Sequence, residues 1–175
     1  MRRLALVAGI ALSAVAFSPK AQAQTPANVN FTGSVTATCA INSITNGTLA
    51  KINDNQYVAD GFSPGNTSGT GSAAIINVSC NAGTTFTITS VSDNGGSVNL
   101  SAASGTATSQ DGGVTIRDAA TGTKVSGDAL NSPGSVIAGP ISAKDYAVQL
   151  NLFRSDSPLP VGTYNIRSLV TLTPQ

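Results

Sequence analysis

Between residues 28 and 42 the side chains alternate in type. Val29, Phe31, Gly33, Val35, Ala37, Cys39 and Ile41 stand on one parity, and Asn28, Asn30, Thr32, Ser34, Thr36, Thr38, Ala40 and Asn42 on the other. Successive side chains of a strand point to opposite faces, so this run predicts a long half-buried strand or two consecutive ones. The same period recurs in Ala74, Ile76, Val78 and Cys80, in Phe86 and Ile88, in Val114 and Ile116, and in Tyr146, Val148, Leu150 and Leu152. It closes the chain in Tyr164, Ile166, Val170 and Leu172, and Leu49 to Ile52 reads as a further short strand. Asn46-Gly47, Asn81-Ala82-Gly83, Asp93-Asn94-Gly95-Gly96 and Pro158–Gly162 supply turns, the second joining 74–80 to 84–91 as a hairpin. Residues 53–72, 101–113 and 126–142 read as irregular. No amphipathic helix longer than two turns appears after the first segment. These features predict a single all-β domain, an antiparallel β-sandwich, with no linker and no repeat.

Composition points the same way. The chain holds 20 Thr, 21 Ser, 14 Asn and 18 Gly but no Glu, so strand and turn formers crowd out helix formers. Lack of His removes His-based acid–base catalysis, Ser-His-Asp triads and His-metal sites. Two Cys cannot cage zinc, and eight Asp present no carboxylate pair that spacing singles out. No catalytic residue, metal site or cofactor is expected, and the chain is not read as an enzyme.

Met1-Arg2-Arg3 is followed by an apolar run from Leu4 to Phe17 and then by Ala21-Gln22-Ala23. A basic start, a short apolar stretch and a small-residue site read as a secretory signal, with cleavage expected after Ala23. The run is too short for a comfortable membrane span. Cleavage removes Arg2, Arg3 and Lys20, leaving Lys51, Arg117, Lys124, Lys144, Arg154 and Arg167 against eight Asp, a net charge of about −2. That balance gives no electrostatic case for nucleic acid. Export also meets an oxidising compartment, so Cys39 and Cys80 are expected to form a disulfide.

Other motifs carry little. Asp93-Asn-Gly-Gly and Asp111-Gly-Gly lack calcium-loop spacing and read as turns. Asn30, Asn46, Asn66 and Asn77 begin glycosylation-type triplets, about as many as chance supplies in so Ser/Thr-rich a chain. Tyr57, Phe62 and Tyr164 read as packed side chains before glycan platforms.

Three segments together resemble a known family: Val29-Asn-Phe-Thr-Gly33-Ser-Val-Thr-Ala-Thr-Cys39, Ile76-Asn-Val-Ser-Cys80-Asn-Ala-Gly-Thr-Thr-Phe86-Thr-Ile88, and Pro160-Val-Gly162-Thr-Tyr164-Asn-Ile-Arg-Ser-Leu-Val170-Thr-Leu172. In this order, with the Cys pair and the signal, the chain resembles chaperone–usher fimbrial subunits, within them the spore coat protein U-like or archaic pilin branch. The resemblance implies an immunoglobulin-like sandwich that lacks its last strand. It implies a groove beside the C-terminal strand, filled first by a periplasmic chaperone and then, at an outer-membrane usher, by the N-terminal segment of a neighbouring subunit. On that scheme residues 24–38 are the donor segment, with Val29, Phe31, Gly33 and Val35 as donor side chains, and 39–175 are the sandwich. Tyr164, Ile166, Val170 and Leu172 would line the acceptor groove, with Tyr146, Val148, Leu150 and Leu152 behind. Residues 28–38 fit equally the first strand of a self-complete sandwich. Two functions therefore stand: a subunit of a surface fimbria, pilus or coat, in transit through the periplasm, or a monomeric secreted binding module or tip adhesin.

Overall fold

One strand of thirteen residues organises the large sheet of the computed structural model, which describes residues 30, 32–59, 71–98, 108–109, 112–127, 130–154 and 157–175. The expected signal segment, Val29, Phe31 and Phe62 lie outside the described residues. Ten strands occur among those described: β1 Cys39–Thr45, β2 Ala50–Asn53, β3 Gln56–Ala59, β4 Ala74–Cys80, β5 Thr84–Asp93, β6 Thr108–Ser109, β7 Gly112–Asp118, β8 Lys124–Ser126, β9 Ile141–Phe153 and β10 Ile166–Pro174. All pairings are antiparallel. The protein is an all-β sandwich of two sheets.

The long strand is β9. One edge takes β4 along residues 141–148 and then β3 along 150–153, and the other edge takes β7 along 146–151. β1 lies outside β4, β2 outside β3, and β6 and β8 outside β7. The second sheet holds β5 and β10 among the described residues.

Residues 74–80 and 84–91 do form strands, but not the expected hairpin. β4 pairs with β1 and β9, and β5 pairs with β10, so the turn at 81–83 carries the chain from one sheet to the other. The two strands meet face to face because each has an apolar inner side: Val78 and Cys80 on β4, Phe86 and Ile88 on β5. Pairing edge to edge would have left one of those sides in water. Gly139 permits the crossover, since a Cβ there would sit 2.1 Å from the carbonyl carbon of Ala82. β3 and β8 were not legible in the alternation, being four and three residues long.

The main cluster joins Ile76, Val78, Phe86, Ile88, Ile116 and Tyr146, all buried, and the Phe86 and Tyr146 rings meet at 4.6 Å. A second cluster, at the far end of β9, holds Val98, Leu152 and Leu159, with Tyr57, Tyr164 and Ile166 against it. The Tyr146 hydroxyl is buried and has no hydrogen-bond partner among the described residues.

Two substitutions in this core should therefore move stability in opposite senses. Phe86→Ala removes a fully buried ring and should cost about 3–5 kcal/mol in denaturant unfolding. Tyr146→Phe removes a buried hydroxyl without a partner and should be neutral or stabilising by about 1 kcal/mol. Destabilisation by Tyr146→Phe would show that the hydroxyl is satisfied.

Candidate functional site

The two edges of the small sheet are treated differently. On one side of β5, the loop 131–137 supplies the missing partner: Asn131 N–H donates to the Ile88 carbonyl, Gly134 N–H to the Phe86 carbonyl, and Ile137 and Thr84 exchange both bonds. Residues of an antiparallel strand turn their backbone groups alternately to the two neighbours. Thr84, Phe86 and Ile88 face the loop, so Thr85 and Thr87 face β10, where their partners are Thr173 and Thr171. Val170 and Leu172 must then turn N–H and C=O away from β5. Among the described residues no strand pairs with that side of β10.

β1 stands across this open edge. It is an edge strand of the large sheet, paired with β4 alone among the described residues. A bulge at Asn42 shifts its register: Ile41 lies opposite Val78, and Ile44, not Ser43, lies opposite Ile76. Val78 and Ile76 point into the core, so Cys39, Ile41 and Ile44 all point to the inner side of β1. Strict alternation would have sent Ile44 outward. Asn42 itself faces out, donating to Asn77 Oδ1 and Ser79 Oγ, each at 2.8 Å.

Between the two strands lies a cleft of about 470 Å³ lined by Cys39, Ala40, Ile41, Val170, Thr171, Leu172 and Pro174, with no charged group among them. Its apolar lining is incompletely covered: Ile41 is 45% exposed, and Ile44, further along the inner side of β1, is 64% exposed. Covering a side chain of this size is worth about 1.5–3 kcal/mol when complete. The cleft therefore combines unpaired backbone on one wall with uncovered aliphatic side chains on the other. An extended peptide would satisfy both at once.

The Cys39–Cys80 disulfide is present and fastens the first residue of β1 to the last of β4. It holds one wall of the cleft at the point where the chain enters the sheet.

Of the expected acceptor residues, Val170 and Leu172 lie in this cleft. Tyr164 and Ile166 lie instead against the second cluster, where the Tyr164 ring meets Tyr57 at 5.3 Å and its hydroxyl donates to the Pro160 carbonyl. Tyr146, Val148, Leu150 and Leu152 run along β9 behind the small sheet. Ile41 stood on the alternating parity but was not assigned to the groove, and Ile44 was missed because the bulge at Asn42 has no sequence signal of its own.

The expected strand over 28–42 is corrected at its first part. Among the described residues the strand begins at Cys39, and residues 30 and 32–38 are not in a strand. Gly33 has open space around its α-carbon, and Val35 is 88% exposed. Beyond Cys80 the backbone of β4 turns away, so no strand remains for residues 36–38 to pair with.

A second cavity, about 530 Å³, opens between residues 137–146 and Ala119-Ala120. At its rim Lys144 Nζ lies 2.6 Å from Asp118 Oδ2. Asp118 Oδ1 also accepts the Ala120 and Thr121 N–H groups. The Lys144 ammonium, helped by these amides and opposed by burial, holds the Asp118 carboxyl below its ordinary range. On the outer face beside it, Asn77 Nδ2 donates to Asp145 Oδ1, which ties Asn77 into the sheet. Among the described residues no group of three potential metal ligands is found, and no helix is long and apolar enough to cross a membrane.

Comparison with family models, curated proteins and solved structures returns no match to this chain.

Two measurements follow from this geometry. Replacing both Cys by Ser releases a loop with ends 41 residues apart and should lower stability by about 2–4 kcal/mol. Amides of β1 should then exchange faster than those of β9. The second concerns pH. Asp118 is more acidic folded than unfolded, so its contribution is present above the ordinary carboxylate value and fades as pH falls through the lower, folded one. Thermal stability should drop below about pH 4, and Asp118→Asn should flatten that part of the profile. An unchanged profile in Asp118→Asn would assign the acid limb to other carboxylates.

Proposed function

We propose that the protein is an exported structural subunit of a surface fibre or coat, assembled by insertion of a neighbour's extended segment between β1 and β10. The observation that carries this reading is the cleft itself: a strand edge with no partner among the described residues, facing incompletely covered aliphatic side chains, while the loop 131–137 covers the opposite edge of the small sheet.

The strand order supports it. The sequence β1-β4-β9-β7 in one sheet and β5-β10 in the other follows the ABED and CF order of an immunoglobulin-type sandwich, with no strand in the place of G among the described residues. The Tyr164 hydroxyl bonded to the carbonyl of Pro160, just before β10, matches the tyrosine corner of such sandwiches. The inserted segment is read as residues 28–35 of another copy or a related subunit, with Val29, Phe31, Gly33 and Val35 turned inward. A head-to-tail contact of this kind propagates into an open filament. The reading carries with it a signal-directed passage to the periplasm, a chaperone that occupies the cleft there, and an usher at the outer membrane.

The test is Phe31→Asp in the full chain. A carboxylate cannot enter an uncharged cleft cheaply, so the heat-sensitive ladder expected of the wild type on unheated SDS gels should be absent from Phe31→Asp, while the monomer keeps a cooperative melt. A ladder that persists in Phe31→Asp would remove residues 28–35 from the contact.

A further inference from the structure

We infer that Asn81 holds Thr36 to Thr38 in line with β1, so that the residues before them cannot turn back to fill the cleft of their own domain and are left for another copy. The inference rests on the strand-insertion reading above and addresses what that reading leaves open, namely why the chain should polymerise when it carries both a strand and a cleft.

Cys39 pairs with Cys80, and the ladder between β1 and β4 would next pair Thr38 with Asn81. Half of that pair forms normally, with Asn81 N–H donating to the Thr38 carbonyl at 3.1 Å. The return bond does not go to the Asn81 carbonyl, because the chain is already turning towards β5. The Asn81 side chain replaces it. Thr38 N–H donates to Asn81 Oδ1 at 2.7 Å, and Asn81 Nδ2 donates to the Thr36 carbonyl at 2.8 Å. One carboxamide thus plays the part of a strand backbone for two further residues. It extends β1 backwards to Thr36, without a partner strand.

This placement limits where the chain can reverse. To lie beside β1 in its own cleft, the preceding segment must double back, and the tightest reversal uses two residues. With Thr36 to Thr38 held straight, that reversal falls at residues 34 and 35. Gly33 would then come level with Thr36, and Phe31 with Thr38. Both fall short of Cys39, where β1 and the cleft begin. Of the apolar donor set only Val29 would reach. Insertion into a second copy requires no reversal and keeps Val29, Phe31, Gly33 and Val35 together. Release of Thr36 would allow the turn to move towards Cys39 and the segment to slide into register with its own cleft.

Asn81→Ala removes both side-chain bonds; Asn81→Asp keeps the acceptor for Thr38 N–H and loses the donor to Thr36. Full-length protein secreted as wild type and as each variant would be compared by light scattering after size exclusion and by unheated gels. The expected result is a shift from heat-labile polymer to folded, cooperatively melting monomer, at least about tenfold in the monomer-to-polymer ratio for Asn81→Ala and smaller for Asn81→Asp. The same ratio as wild type in a folded variant would overturn the assignment to Asn81. Should Asn81→Ala not fold, Asn81→Asp decides on the same readout. A wild type that never polymerises would overturn the strand-insertion reading itself, and the role of Asn81 with it.

Discussion

A sheet of two strands cannot close a sandwich of this size, and the rest of the molecule is arranged around that shortfall. β5 and β10 carry Phe86, Ile88, Val170 and Leu172 over the inner face of a sheet of eight strands. The loop 131–137 gives β5 the backbone partners it needs on one edge. On the other edge β10 faces the cleft, with no strand partner among the described residues, and β1 presents Ile41 to it, with Ile44 further along the same inner side. Hydrogen-bonding groups at such an edge can be served by water, but aliphatic side chains cannot. An extended segment with a backbone and apolar side chains would satisfy both.

The local chemistry keeps that cleft open in a defined shape. The disulfide fixes β1 at its first residue, and the bulge at Asn42 rotates the following residues so that Ile44 joins Ile41 on the inner side. Asn42, Asn77, Ser79 and Asp145 form a polar chain across the outer face of β1, β4 and β9. These contacts hold β1 from outside and from its end, leaving its inner side uncovered. An edge strand secured this way can form one wall of a binding site without a neighbour of its own.

Much of the sandwich was legible because its buried faces follow the strand period. Val78 and Cys80, Phe86 and Ile88, Val114 and Ile116, and Tyr146 to Leu152 all lie where alternation put them. What alternation could not give was partnership. It marks which side chains share a face, not which strand lies alongside, so 74–80 and 84–91 read as a hairpin although they belong to opposite sheets. The family resemblance placed Tyr164 and Ile166 in the same groove as Val170 and Leu172, whereas they lie against Tyr57 and Leu152 in the far cluster. The run over 28–38 alternates well, yet its described residues form no strand, because after Cys80 it is Asn81 alone, through its N–H and its side chain, that is seen to pair with them among the described residues. The site was half legible for the same reason: Val170 and Leu172 sit in a periodic run, while Ile44 depends on an unsignalled bulge.

The central claim is that the outer backbone of β10 is an open acceptor. Residue-resolved hydrogen exchange tests it directly. The amides of Val170 and Leu172 should exchange rapidly in the monomer, while those of Thr171 and Thr173, turned to β5, stay protected. On adding a peptide of residues 26–36, Val170 and Leu172 should become protected and Thr171 and Thr173 should change little. Protection of Val170 and Leu172 already in the isolated monomer, or no gain with saturating peptide, would contradict the account.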